Sequence, residues 1–557
     1  MDARDALNIW LTHPAFDEET KLELRRIADD EKEVLSRFGR DLTFGTGGLR
    51  GLLGAGTDRM NRYTVARATQ GLADYLKSLG KERIAIAYDS RHCSKSFAHI
   101  AAGVLAKNGL KVFCYNRLMP TPMLSFAVRE LSCDAGIMIT ASHNPAQYNG
   151  YKVYGADGCQ ITNDTAADIT LRIQEVAYPD VSWMEETDAR AAGLFEDIPD
   201  AIYGAFLEKT LSSRVGPPSY RSAIRIVYTP LHGAGLEPVR DILRRMGVPF
   251  VEVTKQCVPD GNFPTCPRPN PELPGALQPA IETAKREGAE LVMATDPDCD
   301  RLGVAARDAH GEYCIMTGNE IGLLLMDYLL GCRKEADTLP EEPLILKTIV
   351  TSDLCFPIAQ RYAAEVREVL TGFKYIGEEI GRLESVGQSC RYVLGFEESC
   401  GYLVGTHVRD KDAVMACMLV ADMAQHYADM GMTLPDVLEA LYAEYGYMQN
   451  TLLSVDIVDA LPIDQMRAIM AALRADPPQT LNGDSVAVVR DYLKGVDGLP
   501  ESDVLAFENN RGDKAIVRPS GTEPKIKIYL SARGNSRADV RAKLTVMARQ
   551  VEEWMER

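Results

Sequence analysis

The segment Asp296–Arg301 (DPDCDR) combines three carboxylates at alternate positions with one arginine. Three carboxylates cannot share one pocket unless something neutralises their charge. All-oxygen ligands of this kind suit a hard divalent cation such as Mg²⁺. The calcium loop of an EF-hand begins in the same way, but Arg301 stands where that loop requires glycine. The segment predicts a magnesium site with an anionic ligand beside Arg301, and a solvated acidic turn is the plainer alternative.

A second segment, Thr140–Pro145 (TASHNP), offers a hydroxyl next to an imidazole, in Ser142 and His143. The serine could act as a nucleophile or as a phosphate carrier, and Lys152, ten residues later, could act as a base. The G-x-S-x-G pattern of α/β-hydrolases is absent. Ser142 would also give the three carboxylates a fourth oxygen, and a better one if it is phosphorylated. On its own, a Ser-His pair also occurs in many turns.

Two further segments have polar groups suited to a sugar phosphate. In Gly395–Tyr402 (GFEESCGY), Glu397 and Ser399 would face the same side of an extended chain and could accept from sugar hydroxyls. Arg518–Lys525 (RPSGTEPK) combines an arginine, two hydroxyls and a glycine, which together favour anion binding. A helix cap and a tight hairpin turn are the plainer alternatives. Phe44–Gly51 (FGTGGLRG) is rich in glycine but lacks the P-loop spacing.

A strand–helix alternation that occurs three times would position these loops. Strands that alternate with helices of about 10–15 residues predict parallel sheets covered by helices. Ligands of such sheets gather beyond the carboxyl ends of the strands, so the loop after each third strand is the place to expect a site. The predicted strands are Arg83–Tyr88, Leu110–Tyr115 and Cys133–Thr140, then Arg225–Tyr228, Pro249–Val253 and Glu290–Ala294, then Leu344–Val350, Val366–Leu370 and Arg391–Leu394.

The predicted fold class is α/β, with three similar βαβαβ-containing domains and a smaller C-terminal α+β domain. The first forty residues are predicted to form a helical extension, and the region after Tyr447 an irregular mixture before two strands and a closing helix. The predicted domains are 1–205, 206–318, 319–446 and 447–557. The predicted helices and C-terminal strands are Glu31–Phe38, Ser94–Asn108, Thr121–Leu131, Leu236–Met246, Ala276–Glu287, Leu354–Ala364, Gly377–Val386, Ala515–Val517, Lys525–Leu530 and Ser536–Glu556.

Composition narrows the class of protein. The 557 residues include 79 acidic and 61 basic side chains, for a net charge of −18, which argues against nucleic acid or an anionic membrane as the main partner. No apolar run reaches the length of about 18 residues that a membrane span needs. The 13 cysteines form no C-x-x-C pair and the 8 histidines no H-x-x-x-H pair. We expect free thiols in a reducing cytoplasm. Whether the chain is a monomer or a homodimer is open.

Taken in order, the four segments resemble the α-D-phosphohexomutase superfamily, and the resemblance runs from about Thr43 to the C-terminus. Thr140–Pro145 looks like its phosphoserine loop and Asp296–Arg301 like its magnesium loop. Gly395–Tyr402 looks like its sugar loop and Arg518–Glu523 like its phosphate loop. Tyr228–Gly235 (YTPLHGAG), Thr371–Gly377 (TGFKYIG) and Phe44–Gly51 are most similar to its phosphoglucomutase/phosphopentomutase branch. Tyr402 stands where some mannose-active relatives have histidine. The resemblance implies four domains around a central cleft.

The resemblance also implies roles for individual residues. Ser142 would carry the phosphate and, with Asp296, Asp298 and Asp300, would bind one Mg²⁺ per chain. Lys152 would be the general base and Lys411 a second acid or base. The remaining positions would stabilise the transferring charge (Arg50, His143 and Arg301), grip the sugar (Thr371, Gly372, Glu397 and Ser399) or hold the other phosphate (Arg518, Ser520, Gly521 and Thr522).

The implied reaction interconverts glucose 1-phosphate and glucose 6-phosphate through a phosphoserine enzyme and glucose 1,6-bisphosphate. Pentose and mannose phosphates are alternative substrates. A serine-dependent phosphatase and a non-catalytic sugar-phosphate sensor are alternatives of a different class.

Overall fold

The structure is a computed structural model that describes residues 2–45, 47–217, 223–457, 462–496, 498–520 and 525–555. The chain divides into two compact units, each built from separated stretches of sequence. Among the described residues, no helix is both long and apolar enough to cross a membrane. Unit 1 comprises Met1–Ala305, Gly377–Ser389 and Gly401–Gln425, and unit 2 comprises Ala306–Ile376, Cys390–Cys400 and His426–Arg557.

Unit 1 contains a six-stranded mixed sheet in the order β1-β5-β4-β2-β3-β6. The predicted parallel strands are present, because β2 runs parallel to β3 and β4, and β3 runs parallel to β6. The prediction missed that β5 pairs antiparallel with β4, and β1 antiparallel with β5. The short 140–147 connection leaves no room for a crossover helix, so the chain must turn back. The strands are β1 Gly48–Leu52, β2 Arg83–Tyr88, β3 Lys111–Cys114, β4 Ala135–Ile139, β5 Tyr148–Gly155 and β6 Phe195–Asp197.

Helices flank this sheet and bury its apolar side chains. Ile84 and Ile86 of β2 and Ile137 of β4 have no exposed surface. The N-terminal extension is helical, as predicted, and Trp10 stacks on Phe16 with ring centroids 4.4 Å apart. The helix predicted from Ser94 begins there. The helices are α1 Ala3–Thr12, α2 Glu18–Ile27, α3 Glu31–Phe38, α4 Arg62–Ser78, α5 Ser94–Lys107, α6 Thr121–Glu130, α7 Asn163–Glu175, α8 Glu186–Ala191 and α9 Asp200–Leu211.

A second sheet of unit 1 has the strand order β10-β9-β7-β8. Strand β7 runs parallel to β8 and β9, as the repeat predicted. Helix α11 begins two residues earlier than predicted, with Pro274 in its first turn, where proline's missing N–H costs nothing. The elements are β7 Ile226–Thr229, α10 Leu236–Met246, β8 Phe250–Glu252, α11 Pro274–Glu287, β9 Leu291–Thr295 and β10 Leu302–Arg307.

The third repeat forms a sheet in which β12 runs parallel to β13 and to β14. Strand β14 extends three residues beyond its predicted end, because Gly395 and Phe396 continue the parallel pairing with β12. Helix α14 begins at Phe373 rather than at Gly377. The elements from here to the C-terminal part are β11 Tyr313–Met316, α12 Gly318–Glu335, β12 Leu344–Thr348, α13 Cys355–Arg361, β13 Glu365–Val369, α14 Phe373–Ser385, β14 Tyr392–Glu397, β15 Gly401–Leu403, α15 Ala413–Asp429 and α16 Leu434–Tyr445.

The C-terminal part is an antiparallel sheet in the order β16-β21-β20-β19-β18-β17. The irregular mixture predicted after Tyr447 is wrong, since a ten-residue strand begins there. Arg518, predicted to lie in a loop, pairs with Lys527 inside the sheet. The elements are β16 Tyr447–Asp456, α17 Pro462–Ala475, β17 Thr480–Leu481, β18 Asp484–Asp491, β19 Leu505–Asn509, β20 Lys514–Pro519, β21 Lys525–Gly534 and α18 Arg537–Met555.

Candidate active site

The acidic segment follows the end of β9 and folds around its first residue. Asp296 Oδ1 accepts from the backbone N–H groups of Asp300 (3.1 Å) and Arg301 (3.0 Å). This turn brings the carboxylates of Asp296, Asp298 and Asp300 together, with one oxygen of each within 4.8 Å of the others. All three side chains are buried. The strand end predicted from the sequence is therefore the place where the carboxylates converge.

Two observations indicate that the three carboxylates are suited to binding a divalent cation. Asp298 Oδ1 and Asp300 Oδ1 are buried and accept no hydrogen bond from any described residue. Burial, together with the charges of Asp298 and Asp300, raises the pKa of Asp296 well above its usual range. Buried acceptors without hydrogen bonds, beside a carboxyl whose pKa is raised, favour the binding of a positive charge. A set of ligands made only of oxygen atoms suits Mg²⁺.

Ser142 lies at the same point, in the loop that follows β4. Its hydroxyl donates to Asp296 Oδ2 over 2.7 Å and lies 3.2 Å from His143 Nδ1. Ser142 has a φ of 50°, a left-handed conformation that is uncommon for a residue other than glycine. The loops after the first and second repeats thus meet at one hydroxyl and one carboxylate, all within unit 1.

Two lysines lie beside the carboxylates. Lys152, on β5, places its Nζ 2.9 Å from Asp298 Oδ2 and 3.4 Å from Asp300 Oδ2. Lys411 Nζ lies 3.4 Å from the same oxygen of Asp300. Burial acts to lower the pKa of Lys152, but Asp298 and Asp300 outweigh it and raise that pKa. Lys152 is therefore an ammonium while it remains paired with these carboxylates.

Sequence reasoning missed two residues that hold Lys411. The Tyr154 hydroxyl donates to Asp410 Oδ2 over 2.8 Å. Asp410 Oδ1 accepts from the backbone N–H of Lys411 over 2.8 Å and lies 3.3 Å from its Nζ. Tyr154 lies two residues after Lys152 on β5, so both side chains face the same side of the sheet. That spacing was the available signal.

The three residues expected to stabilise transferring charge differ in their surroundings. Arg50 is exposed on β1, opposite Gly150, with Nη1 3.5 Å from Asn144 Oδ1. Arg301 Nη1 forms an ion pair with Glu272 Oε1 at 2.6 Å. Burial, Arg301 and Arg50 together lower the pKa of His143, which favours its neutral form.

The residues expected to grip the sugar belong to unit 2. The backbone N–H of Gly372 donates to Glu397 Oε1 over 3.1 Å, which brings two of the four predicted positions together. Thr371 Oγ1 is buried without a hydrogen-bond partner among the described residues. Ser399 is half-buried just after β14. A hydroxyl without a partner among these residues, next in sequence to the glycine that binds Glu397, is suited to binding a polyol.

The predicted phosphate loop is described in part. Arg518 and Ser520 are half-buried at the end of β20, and the Ser520 N–H donates to the Lys525 carbonyl over 2.8 Å. Gly521 and Thr522 lie outside the described residues.

Comparison with known proteins agrees with this geometry. Models of phosphoglucomutase/phosphomannomutase α/β/α domains I, II and III match residues 41–179, 205–311 and 317–445. A phosphoglucomutase of Staphylococcus aureus (strain USA300) is 38% identical over 542 residues, which cover 94% of this chain and 96% of the relative. One from strain N315 is 37% identical over 541 residues, with the same coverage.

Solved structures show the same fold. A phosphoglucomutase/phosphomannomutase family protein of Burkholderia thailandensis is 20% identical, with a TM-score of 0.67, covering 92% of this chain and 97% of that one. Parafusin of Paramecium, a phosphoglucomutase in its open form, is 17% identical with a TM-score of 0.66, covering 92% and 94%. The chain therefore belongs to the phosphoglucomutase/phosphomannomutase family of the α-D-phosphohexomutase superfamily, and it is a phosphotransferase of the isomerase class.

Proposed function

We propose that this enzyme is a phosphoglucomutase that interconverts glucose 1-phosphate and glucose 6-phosphate, with Ser142 as the phosphate carrier and glucose 1,6-bisphosphate as the intermediate. The observation that carries the proposal is the 2.7 Å hydrogen bond from Ser142 Oγ to Asp296 inside the buried acidic cluster. The 38% identity to phosphoglucomutases of Staphylococcus aureus over 94% of the chain supports glucose phosphate as the substrate.

The reaction needs two opposite phosphoryl transfers. In the first, the bond between phosphorus and Ser142 Oγ breaks as a bond forms to the free hydroxyl oxygen of the sugar phosphate. In the second, the bisphosphate presents its other phosphate, which returns to Ser142. Such transfers depend on in-line positioning and on charge stabilisation more than on covalent chemistry with the protein.

The acidic cluster would hold the cation. Asp296, Asp298, Asp300 and an oxygen of phosphorylated Ser142 would bind one Mg²⁺, which supplies charge neutralisation to the transferring phosphoryl group. Asp298 and Asp300 each have a buried oxygen that accepts no hydrogen bond within the described part of the chain, and these oxygens are available for that role.

Lys152 would accept the proton of the attacking sugar hydroxyl. This role requires Lys152 to be neutral, so Asp298 and Asp300, which now raise its pKa, must be engaged elsewhere when the base acts. Lys411 would serve as a second acid or base. Arg50, Arg301 and neutral His143 would stabilise the transferring charge.

The remaining predicted positions would recognise the rest of the substrate. Thr371, Gly372, Glu397 and Ser399 would bind the sugar hydroxyls, and Arg518, Ser520, Gly521 and Thr522 would bind the phosphate that does not react. We also propose domain boundaries at 205/206, 318/319 and 446/447, and a cytoplasmic location.

A side-by-side assay of glucose, mannose and ribose 1-phosphates tests the substrate. It uses Mg²⁺ and a trace of the matching bisphosphate, and we expect glucose 1-phosphate to give the highest kcat/KM. A preference for ribose or mannose 1-phosphate would keep the mechanism and reassign the substrate. Phosphate release without isomerisation would indicate a phosphatase, and binding without turnover would indicate a sensor.

A further inference from the structure

The loop that carries Ser142 is held by a buried ion pair that the proposed mechanism does not use. Asp89 directly follows β2, and Arg91 lies two residues later. Both side chains have no exposed surface, and Arg91 Nε lies 3.4 Å from Asp89 Oδ2. A fully buried ion pair is costly unless further hydrogen bonds satisfy both of its members.

Arg91 Nε makes no hydrogen bond to any described residue, whereas both Nη atoms donate to the backbone of the Ser142 loop. Its Nη1 donates to the carbonyls of Pro145 (2.9 Å) and Tyr148 (3.1 Å). Its Nη2 donates to the carbonyls of Ser142 (2.5 Å) and Asn144. One guanidinium thus binds four carbonyls distributed along 142–148.

Asp89 fixes the beginning of the same loop. Its Oδ1 accepts from the Arg91 N–H (2.9 Å) and from Ser94 Oγ (2.7 Å). Its Oδ2 accepts from Thr140 Oγ1 over 2.6 Å, and Thr140 Oγ1 accepts from the Ser142 N–H over 2.8 Å. The N–H and the carbonyl of Ser142 are therefore both tied to the Asp89–Arg91 pair.

This support is needed because Ser142 is strained. Its φ of 50° places it in the left-handed region, which is unfavourable for a residue other than glycine. Such a conformation persists only where the surrounding contacts enforce it. Released from those contacts, Ser142 would relax toward negative φ, and its Oγ would move relative to the carboxylates.

We propose that Arg91 is a positioning residue that holds Ser142 in its left-handed conformation and so aims the hydroxyl at the acidic cluster. The proposal deepens the proposed function and rests on it, since Ser142 must be the group that receives phosphate. Arginine is required because its planar fork presents several donors at fixed angles, whereas a lysine ammonium is a single point on a flexible stem. Misplacing a reacting atom by about 1 Å can cost about 100-fold in rate.

The test compares the parent with Arg91→Lys, Asp89→Asn and a matched control, Arg59→Lys. Arg59 is also buried and also donates to backbone carbonyls, those of Ser36 and Asp58, each over 2.9 Å. Three quantities are measured on each full-length chain. They are kcat and KM for glucose 1-phosphate, the rate at which glucose 1,6-bisphosphate phosphorylates Ser142, and amide hydrogen exchange across 140–148.

We expect Arg91→Lys to lower kcat and the phosphorylation rate about 100-fold. KM should stay within about two-fold, because the Arg91 side chain has no exposed surface to offer a substrate. Amide exchange across 140–148 should accelerate in Arg91→Lys and Asp89→Asn and stay at the parent rate in Arg59→Lys. If Arg91→Lys does not fold, Asp89→Asn carries the same test through the same loop.

Parent-like kcat and exchange in a folded Arg91→Lys would overturn the proposal, as would equal losses in Arg59→Lys. A raised KM with unchanged kcat would also overturn it, because Arg91 would then act on substrate binding. If the parent itself turns over no sugar phosphate, the proposed function fails. The exchange measurement still decides whether Arg91 holds the loop.

Discussion

Ser142 and Asp296 lie 154 residues apart in sequence, and a 2.7 Å hydrogen bond from hydroxyl to carboxylate joins them. Each follows a buried parallel strand of a different sheet, Ser142 after β4 and Asp296 after β9. Both strands deliver their loops to one point of unit 1, where a phosphorylated serine would place phosphate oxygens among the three carboxylates.

Replacing Ser142 by alanine removes the phosphate acceptor and keeps the loop backbone. We expect kcat/KM for glucose 1-phosphate to fall by about 10³-fold or more, and transfer of phosphate from glucose 1,6-bisphosphate to the protein to stop. Mass spectrometry of the intact chain measures the transfer. Ser96→Ala, which alters an exposed serine of α5, is the control and should behave as the parent. Continued phosphorylation of Ser142→Ala would place the acceptor elsewhere.

The acidic cluster predicts a specific loss of metal binding in Asp298→Asn. This variant removes one carboxylate charge while it keeps the shape of the side chain, so we expect Mg²⁺ affinity measured by calorimetry to weaken at least about 100-fold, or about 2.7 kcal/mol. Asp200→Asn removes an equal charge from a carboxylate that is 84% exposed and should leave the affinity unchanged. Equal Mg²⁺ binding by Asp298→Asn and the parent would rule out the cluster as the site.

Lys152→Arg separates the charge of Lys152 from its proposed role as a base. Arginine can still pair with Asp298 and Asp300 but does not deprotonate in proteins. We expect kcat to fall by about 10²–10⁴-fold while KM and the melting temperature stay close to the parent values. Lys111→Arg, at a partly exposed pair with Glu196, is the control. Retention of more than half the parent kcat by Lys152→Arg would show that another group takes the proton.

His407 predicts a pH dependence of stability. Burial and the charges of Lys209 and Arg409 lower its pKa to about 4, and its Nε2 is buried without a hydrogen-bond partner among the described residues. Below about pH 6.5 the unfolded chain binds a proton at His407, whereas the folded chain does not bind that proton until about pH 4. The free energy of unfolding should therefore fall as the pH drops through this window, by about 3 kcal/mol at most.

His407→Leu should remove that part of the pH dependence, because leucine stays neutral at every pH. Urea unfolding at a series of pH values between 4 and 7 measures it. An unchanged slope in His407→Leu would show that His407 has the same pKa in the folded and unfolded chains, which would contradict the prediction.

The sequence was enough to predict the parts of the site that depend on strand ends. Ser142 and Asp296 follow apolar strands bounded by clear helices, so the general rule for α/β sheets placed their loops correctly. The antiparallel β5 was missed because its residues Tyr148–Gly155 follow the loop too closely to form a separate unit of the repeat. The place of Arg518 inside β20 depends on pairing with Lys527, which local sequence does not encode.

The supporting residues could not be predicted for a related reason. Arg91, Tyr154 and Asp410 act through bonds to groups 51 to 256 residues away in sequence. The two-residue spacing from Lys152 was a signal for Tyr154, but no spacing or composition marks Arg91 or Asp410, since their contacts depend on the packing of whole elements. The reacting groups lie in loops with recognisable motifs, whereas the groups that hold them are distributed through the fold.

The central claim is that Ser142 passes its phosphate to a sugar phosphate and receives another in return. The most direct measurement is a single turnover of the chain carrying ³²P on Ser142, mixed with an excess of unlabelled glucose 1-phosphate and Mg²⁺. We predict that the label leaves the protein and enters glucose 1,6-bisphosphate and glucose 6-phosphate, with little inorganic phosphate. Label that stays on the protein, or that appears only as inorganic phosphate, would contradict the claim.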